Sequence, residues 1–172
     1  MKGVNCLDKE LLMTLPLFER ALTLASVKHA GQKDKGDDPY VMHVIRVMMG
    51  VETLQDKIVA LLHDLLEDTD MTRGDLIALG FDEETARQVE LLSRKEAEDY
   101  MDYIRRLAED HTAIRVKLSD LRDNLSRTRF KEKLADVDFE RLKKYHRAEE
   151  YLLEVLHGEN QEKQKIWRND DE

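Results

Sequence analysis

The sequence predicts an all-α protein, a compact bundle of seven to nine helices with no sheet. Composition is the first ground: 38% of the 172 residues are charged, with only two prolines and seven glycines, a balance that favours amphipathic helices. The second is periodicity, because apolar residues recur at helical spacing in segment after segment. The third is the stretch from Lys57 to Asp68, where Ile58, Val59, Leu61, Leu62, Leu65 and Leu66 cover more than one helical face. Such a helix is normally buried.

A chain of this length is expected to form one domain over residues 1–172, with its core at about 10–157 and a polar tail at 158–172. From Lys9 to Ala30, Leu12, Leu15, Ala21, Leu22, Leu24 and Ala25 keep helical spacing, and Pro16 marks a break. His29 closes that segment, with packing favoured over a site role. A polar loop from Gly31 to Asp38 follows. Asp38 and Pro39 suit the N-cap and first position of a helix running from Tyr40 to Gly50. Thr53 with Asp56 resembles a capping box for the central helix, expected to end at Asp68–Asp70. Thr72 with Asp75 opens a short helix that stops at Gly80, and Asp82 caps another to Ser93. Residues 97–109 form an amphipathic helix whose stripe is Tyr100, Tyr103, Ile104 and Leu107. A helix over 113–124 and a last one from Phe139 to Leu156 complete the bundle, with Leu142, Tyr145, Leu152 and Val155 facing inward.

The formal net charge of −9 argues against a general DNA or RNA surface, which needs a basic stripe. It leaves room for a small anionic substrate in a locally positive pocket. Cys6 is the single cysteine, so neither an internal disulfide nor a thiolate zinc site is expected. No signal-like or spanning apolar run occurs, which makes a cytoplasmic location the expectation. The oligomeric state stays open.

The chemistry concentrates in the central stretch. His63 and Asp64 stand side by side, with Glu67 and Asp68 one turn on. Buried carboxylates without partners are costly, and Asp64 with Asp68 sets like charges four residues apart. A divalent cation among them answers both objections; a solvated helix end with a few acids is the bland alternative. His43 lies on an apolar helix, where a lone histidine is more often a core residue than a ligand. In the later helix Lys117, Asp120 and Asn124 share one face, which suits either a metal-phosphate pocket or a solvated polar surface. Arg94 and Lys95 read as a helix end, and His146 and His157 as surface residues.

Taken together, His43, His63-Asp64 and Asp120 form the ordered pattern H…HD…D, which resembles the metal site of the HD-domain phosphohydrolases. The resemblance narrows with Gly31-Gln32, Pro39-Tyr40 with His43, Ala60 to Asp64 with Glu67-Asp68-Thr69, and Val116 to Asp120 with Asn124. These are similar to the RelA/SpoT hydrolase branch in its small stand-alone form, over roughly residues 20–127. That resemblance implies metal-dependent removal of pyrophosphate from the 3′ position of guanosine tetra- or pentaphosphate, with Mn²⁺ as the cofactor. It implies His43, His63, Asp64 and Asp120 as metal ligands and Glu67 and Asp68 as the pair that orients and activates water. Lys35 matches a lysine near the phosphates and Asn124 a nucleoside contact, while Lys117 could neutralise phosphate charge. Two imidazoles and two carboxylates suit Mn²⁺, Fe²⁺ or Zn²⁺ better than Mg²⁺ or Ca²⁺.

The chain departs from the family in the loop. Where the family has a guanine-stacking arginine stands Asp34; the hydroxyl residue after the lysine is Gly36; and Leu121 replaces the arginine after Asp120. The Asp34 and Gly36 departures favour, as an alternative, an HD phosphohydrolase acting on another nucleotide; a non-catalytic nucleotide sensor is the further alternative, against which retention of His43, His63, Asp64 and Asp120 with Glu67 and Asp68 speaks. The departure at Asp34 also suggests that Asp34→Arg would improve use of guanosine tetraphosphate.

Overall fold

The structure, a computed structural model, describes residues 9–34, 36–126 and 136–169, with side chains over 9–34, 36–126 and 138–158. Ten helices form among them: α1 Lys9–Thr14, α2 Leu17–Lys28, α3 Val41–Met49, α4 Leu54–Leu62, α5 Leu65–Asp68, α6 Arg73–Ala78, α7 Glu83–Leu92, α8 Tyr100–Leu107, α9 His111–Leu125 and α10 Asp136–Asn169. The only pairing outside helices among the described residues is an isolated bridge between Lys33 and Pro39.

α4 is the axis of the bundle. Ile58 to Leu62 are all buried, and α2, α3, α7 and α9 pack around it. Its start follows from sequence, since Thr53 accepts a hydrogen bond from the Asp56 amide at 3.0 Å. Asp56 is itself fully buried. Arg115 of α9 satisfies both its carboxylate oxygens at 2.8 Å, locking α9 against α4. Side-chain caps also open α6 (Thr72, with the reciprocal Asp75 bond), α7 (Asp82), α8 (Asp99) and α9 (Asp110). These caps satisfy amides that the first helical turn leaves without partners.

Pro16 separates α1 from α2, and Arg20 repairs the junction. Its guanidinium donates to the carbonyls of Leu12, Met13, Leu15 and Leu79, tying the ends of α1 and α6 to α2. At the end of α3, Gly50 permits a close approach to α9. A Cβ there would fall 2.1 Å from Ser119 Oγ, the hydroxyl that donates to Val47 O at 2.8 Å.

Three expectations are corrected. The central helix does not run on to Asp68. It ends at Leu62, with Asp64 at φ −99° and ψ −2° before α5 begins. In an unbroken helix, consecutive side chains point about 100° apart and do not meet; the break brings Asp64 Oδ2 to 2.9 Å from His63 Nε2. Asp38 and Pro39 do not open α3. Pro39 is drawn into the bridge with Lys33, and Tyr40 bonds back to Gln32 O before the helix starts. The last helix continues past Leu156 to Asn169, because its polar sequence holds no proline and its single glycine, Gly158, does not stop it.

Candidate metal centre

Three helices and the α4–α5 break converge on one point. α3 brings His43, the end of α4 brings His63, the break brings Asp64, and α9 brings Asp120. His43, His63 and Asp120, all buried, offer ligand atoms within 4.8 Å of one another. Asp64 stands against the same imidazoles, its Oδ2 2.9 Å from His63 Nε2 and 3.6 Å from His43 Nε2. His43 Nε2 is 3.4 Å from Asp120 Oδ1. His43 is therefore no lone core histidine.

The imidazoles are oriented as ligands would be. His63 Nδ1 lies 2.7 Å from Ala60 O, so that nitrogen carries the proton and donates. This leaves Nε2 buried and facing the carboxylates, with Asp64 Oδ2 at 2.9 Å but no well-aligned hydrogen bond among the described residues. His43 Nδ1 lies 2.6 Å from Asp123 Oδ2, which turns its Nε2 the same way. An imidazole whose far nitrogen is engaged by an acceptor is the usual arrangement of a metal-bound histidine. Two nitrogens and two carboxylates fit a divalent cation.

The electrostatics agree. Burial by itself would lower the His43 pKa, yet Asp120, Asp123 and Asp64 raise it to about 11. Burial would likewise raise Asp120, but the charges of Lys117 and the two histidines hold it below the usual carboxylate range. The cluster is rich enough in carboxylates to hold a proton where a cation would sit.

Lys117 Nζ pairs with Asp120 Oδ2 at 2.7 Å, and Asn124 Nδ2 donates to Asp120 Oδ1 at 2.5 Å. Both also line the adjoining cavity of about 590 Å³, so they hold Asp120 from the same wall that could meet a substrate. Glu67 and Asp68 line it as well, and the Glu67 carboxylate is fixed by the Arg94 amide at 3.0 Å. Lys35 lies outside the described residues. Both tyrosines of the α8 stripe reach the cavity. Tyr103 is buried and donates to Leu92 O, whereas the Tyr100 hydroxyl is buried with no hydrogen-bond partner among the described residues. His29 packs, as expected, between Gln32 and the Tyr40 ring.

Asp34 is held within its own loop. Its side chain is 3% exposed. It accepts from the amides of Gly36 and Asp38 and pairs with Arg46 at 3.2 Å. An arginine there would break these bonds before it could stack on a base, so Asp34→Arg should impair the loop rather than improve nucleotide use.

Sequence reasoning missed three residues. Tyr40 donates to Asp64 Oδ2 at 2.6 Å; burial and that carboxylate raise its pKa, so it remains a donor. Asp123 supports His43, and Arg46 pairs with Asp123 at 2.6 Å. Tyr40 and Arg46 each lie three residues from His43, and Asp123 three from Asp120. That i,i+3 spacing to a ligand was the available signal.

A helical bundle that gathers H…HD…D over an acidic pair resembles the HD-type hydrolases in fold and in the placing of its side chains. More particularly, the chain is RelA/SpoT hydrolase-like. It is 38% identical over 120 residues to the guanosine-3′,5′-bis(diphosphate) 3′-pyrophosphohydrolase of Aquifex aeolicus, a match covering 63% of this chain and 17% of that protein. It is 32% identical over 134 residues to the enzyme of the same name in Vibrio cholerae, covering 66% and 18%. To a GTP pyrophosphokinase of Streptomyces coelicolor it is 32% identical over 129 residues, covering 68% and 15%. The chain thus spans less than a fifth of the length of these curated relatives. A solved structure of a metazoan SpoT orthologue that hydrolyses ppGpp shares the fold, with a TM-score of 0.64 at 24% identity. That likeness covers 84% of this chain and 96% of the other. No protein-family model matches the chain.

Proposed function

We propose that this protein is a metal-dependent nucleotide pyrophosphohydrolase that removes pyrophosphate from the 3′ position of guanosine 3′,5′-bis(diphosphate). The observation that carries the reading is the pair of imidazoles, His43 and His63, whose Nδ1 atoms are engaged and whose Nε2 atoms face Asp64 and Asp120. Those four residues would hold the cation, most readily Mn²⁺, with Fe²⁺ or Zn²⁺ as substitutes. When bound, the cation would lower the pKa of a water molecule and polarise a phosphoryl oxygen.

The rest is the work of the chain. Glu67, anchored by the Arg94 amide at the cavity wall, takes a proton from the attacking water while Asp68 orients it. The water oxygen forms a bond to phosphorus, the bond from that phosphorus to the 3′ oxygen breaks, and the 3′ oxygen takes up a proton from solvent, so that pyrophosphate and a nucleotide with a 3′ hydroxyl leave. General-base help of this kind is worth about 10²–10⁴-fold. Lys117 Nζ and Asn124, at Asp120 on the cavity wall, face the phosphates and the nucleoside respectively, and Lys35 belongs to the same reading. The partner is a small anionic nucleotide, not DNA, RNA or a membrane. Among the described residues no helix is long and apolar enough to cross a bilayer, and the reading takes the protein to be a cytoplasmic single domain.

One observation favours a second reading, hydrolysis of a different nucleotide. Asp34, at the position matching the base-stacking arginine, is turned into its own loop. The test is release of pyrophosphate and phosphate from guanosine tetraphosphate, GTP, ATP and nucleoside monophosphates, with Mn²⁺ or EDTA. Metal-dependent pyrophosphate from guanosine tetraphosphate supports the first reading, and turnover confined to another nucleotide supports the second. Asp64→Asn should abolish both metal retention and turnover while leaving the helical circular dichroism intact. Full activity in that variant would refute the metal assignment.

A further inference from the structure

A line of charged side chains runs from the Gly31–Pro39 loop to the back of His43. Asp34 accepts the loop amides of Gly36 at 2.7 Å and Asp38 at 3.2 Å. Its other oxygen meets Arg46 Nη2 at 3.2 Å. Arg46 Nε then pairs with Asp123 Oδ1 at 2.6 Å, and Asp123 Oδ2 reaches His43 Nδ1 at 2.6 Å. The carboxylates of Asp34 and Asp123 are buried to 3% and 9% exposure, with the half-exposed guanidinium between them.

We propose that Asp123, Arg46 and Asp34 are positioning residues that couple the conformation of the Gly31–Pro39 loop to the cation affinity of His43. The inference rests on the reading of His43 as a ligand. Asp123 fixes the imidazole rotamer and tautomer and makes Nε2 a better donor, the role carboxylates take behind metal-bound histidines. Arg46 and His43 sit one turn apart on α3, so one helical face holds both ends of Asp123. Arg46 neutralises part of the charge on Asp123 and holds it in register. Asp34 in turn holds Arg46 and, through two amides, the loop that borders the cavity. A ligand that reshapes the loop would therefore loosen Arg46 and alter the hold of Asp123 on His43. The reverse follows by linkage: cation binding at His43 favours the ordered loop.

The test is Mn²⁺ binding by titration calorimetry to the metal-stripped protein without substrate, together with the visible absorption of the Co²⁺ form. Asp123→Asn should weaken Mn²⁺ binding about 10–100-fold and shift the Co²⁺ bands, while the stripped protein still unfolds in one cooperative transition above the temperature of the titration. Asp34→Ala, two side chains removed from His43 along this line, should weaken binding several-fold. In an Asp123→Asn background the Asp34→Ala effect should vanish, because the connection is already cut. Arg46→Lys should recover part of what Arg46→Met loses. Wild-type affinity and Co²⁺ spectrum in Asp123→Asn would overturn the proposal while leaving the metal centre standing. Full, additive effects of Asp34→Ala and Asp123→Asn would overturn the coupling. If the unaltered protein bound no cation, both this inference and the reading of the metal centre would fall.

Discussion

The contact between Gly50 and Ser119 yields the sharpest prediction, because it depends on one methyl group beside the candidate site. An alanine at Gly50 suffers no backbone strain, since φ is −84° there. Its Cβ, however, would lie 2.1 Å from Ser119 Oγ and 3.2 Å from Ser119 Cβ. The hydroxyl must swing away, breaking its bond to Val47 O, and α3 must part from α9. Overpacking of this kind costs about 1–3 kcal/mol, and the lost buried hydrogen bond about 1 kcal/mol. Against these stands about 0.4–1 kcal/mol from the reduced freedom of the unfolded chain. The net expectation is a loss of about 1–3.6 kcal/mol, which for a chain of this size is a fall in Tm of roughly 2–14 °C. The assay is urea unfolding of the metal-stripped protein, where the midpoint should drop at constant m. Because Ser119 precedes Asp120, the same variant should also bind Mn²⁺ more weakly. Adding Ser119→Ala removes the worse of the two clashes and should restore most of the stability. A Gly50→Ala protein as stable as the parent, or a double variant no better than the single one, would refute the reasoning.

Two further outcomes follow from buried ion pairs. Burial tends to raise the Asp56 pKa, but hydrogen bonds from Arg115 and Thr53 outweigh it and leave the carboxyl lowered. Its contribution is therefore complete above the unfolded value of about 3.9 and is lost as pH falls through the lower folded value. Asp56→Asn should cost about 1–3 kcal/mol at neutral pH and flatten the acid limb of a plot of urea midpoint against pH; an unchanged limb would count against the assignment. Lys117→Met leaves the Asp120 carboxylate buried without its ammonium partner. The stripped protein should lose stability toward the lower end of about 3–5 kcal/mol, since His43 and Asn124 still face Asp120. Saturating Mn²⁺ should then raise the Tm of Lys117→Met by more than it raises that of the parent, and an equal rise would argue against a cation beside Asp120.

What the sequence determined by itself was the set of helices and the residue types of the site. Thr53, Thr72, Asp82 and Pro16 act within one turn of their own position, so their effect is written locally. The all-round apolar stretch Ile58–Leu62 dictated a buried helix for the same reason. The H…HD…D order survives in sequence because His43 and Asp120 belong to α3 and α9, while His63 and Asp64 sit together where α4 ends. Tertiary structure decided where those side chains meet and what holds them. Only packing of α3, α4 and α9 brings His43, His63 and Asp120 together, and only the break after Leu62 turns Asp64 toward His63. The Asp34–Arg46–Asp123 line joins residues 77 and 12 positions apart in the chain. No local pattern encodes such pairings, because a salt bridge between distant segments depends on where the core has already set their backbones.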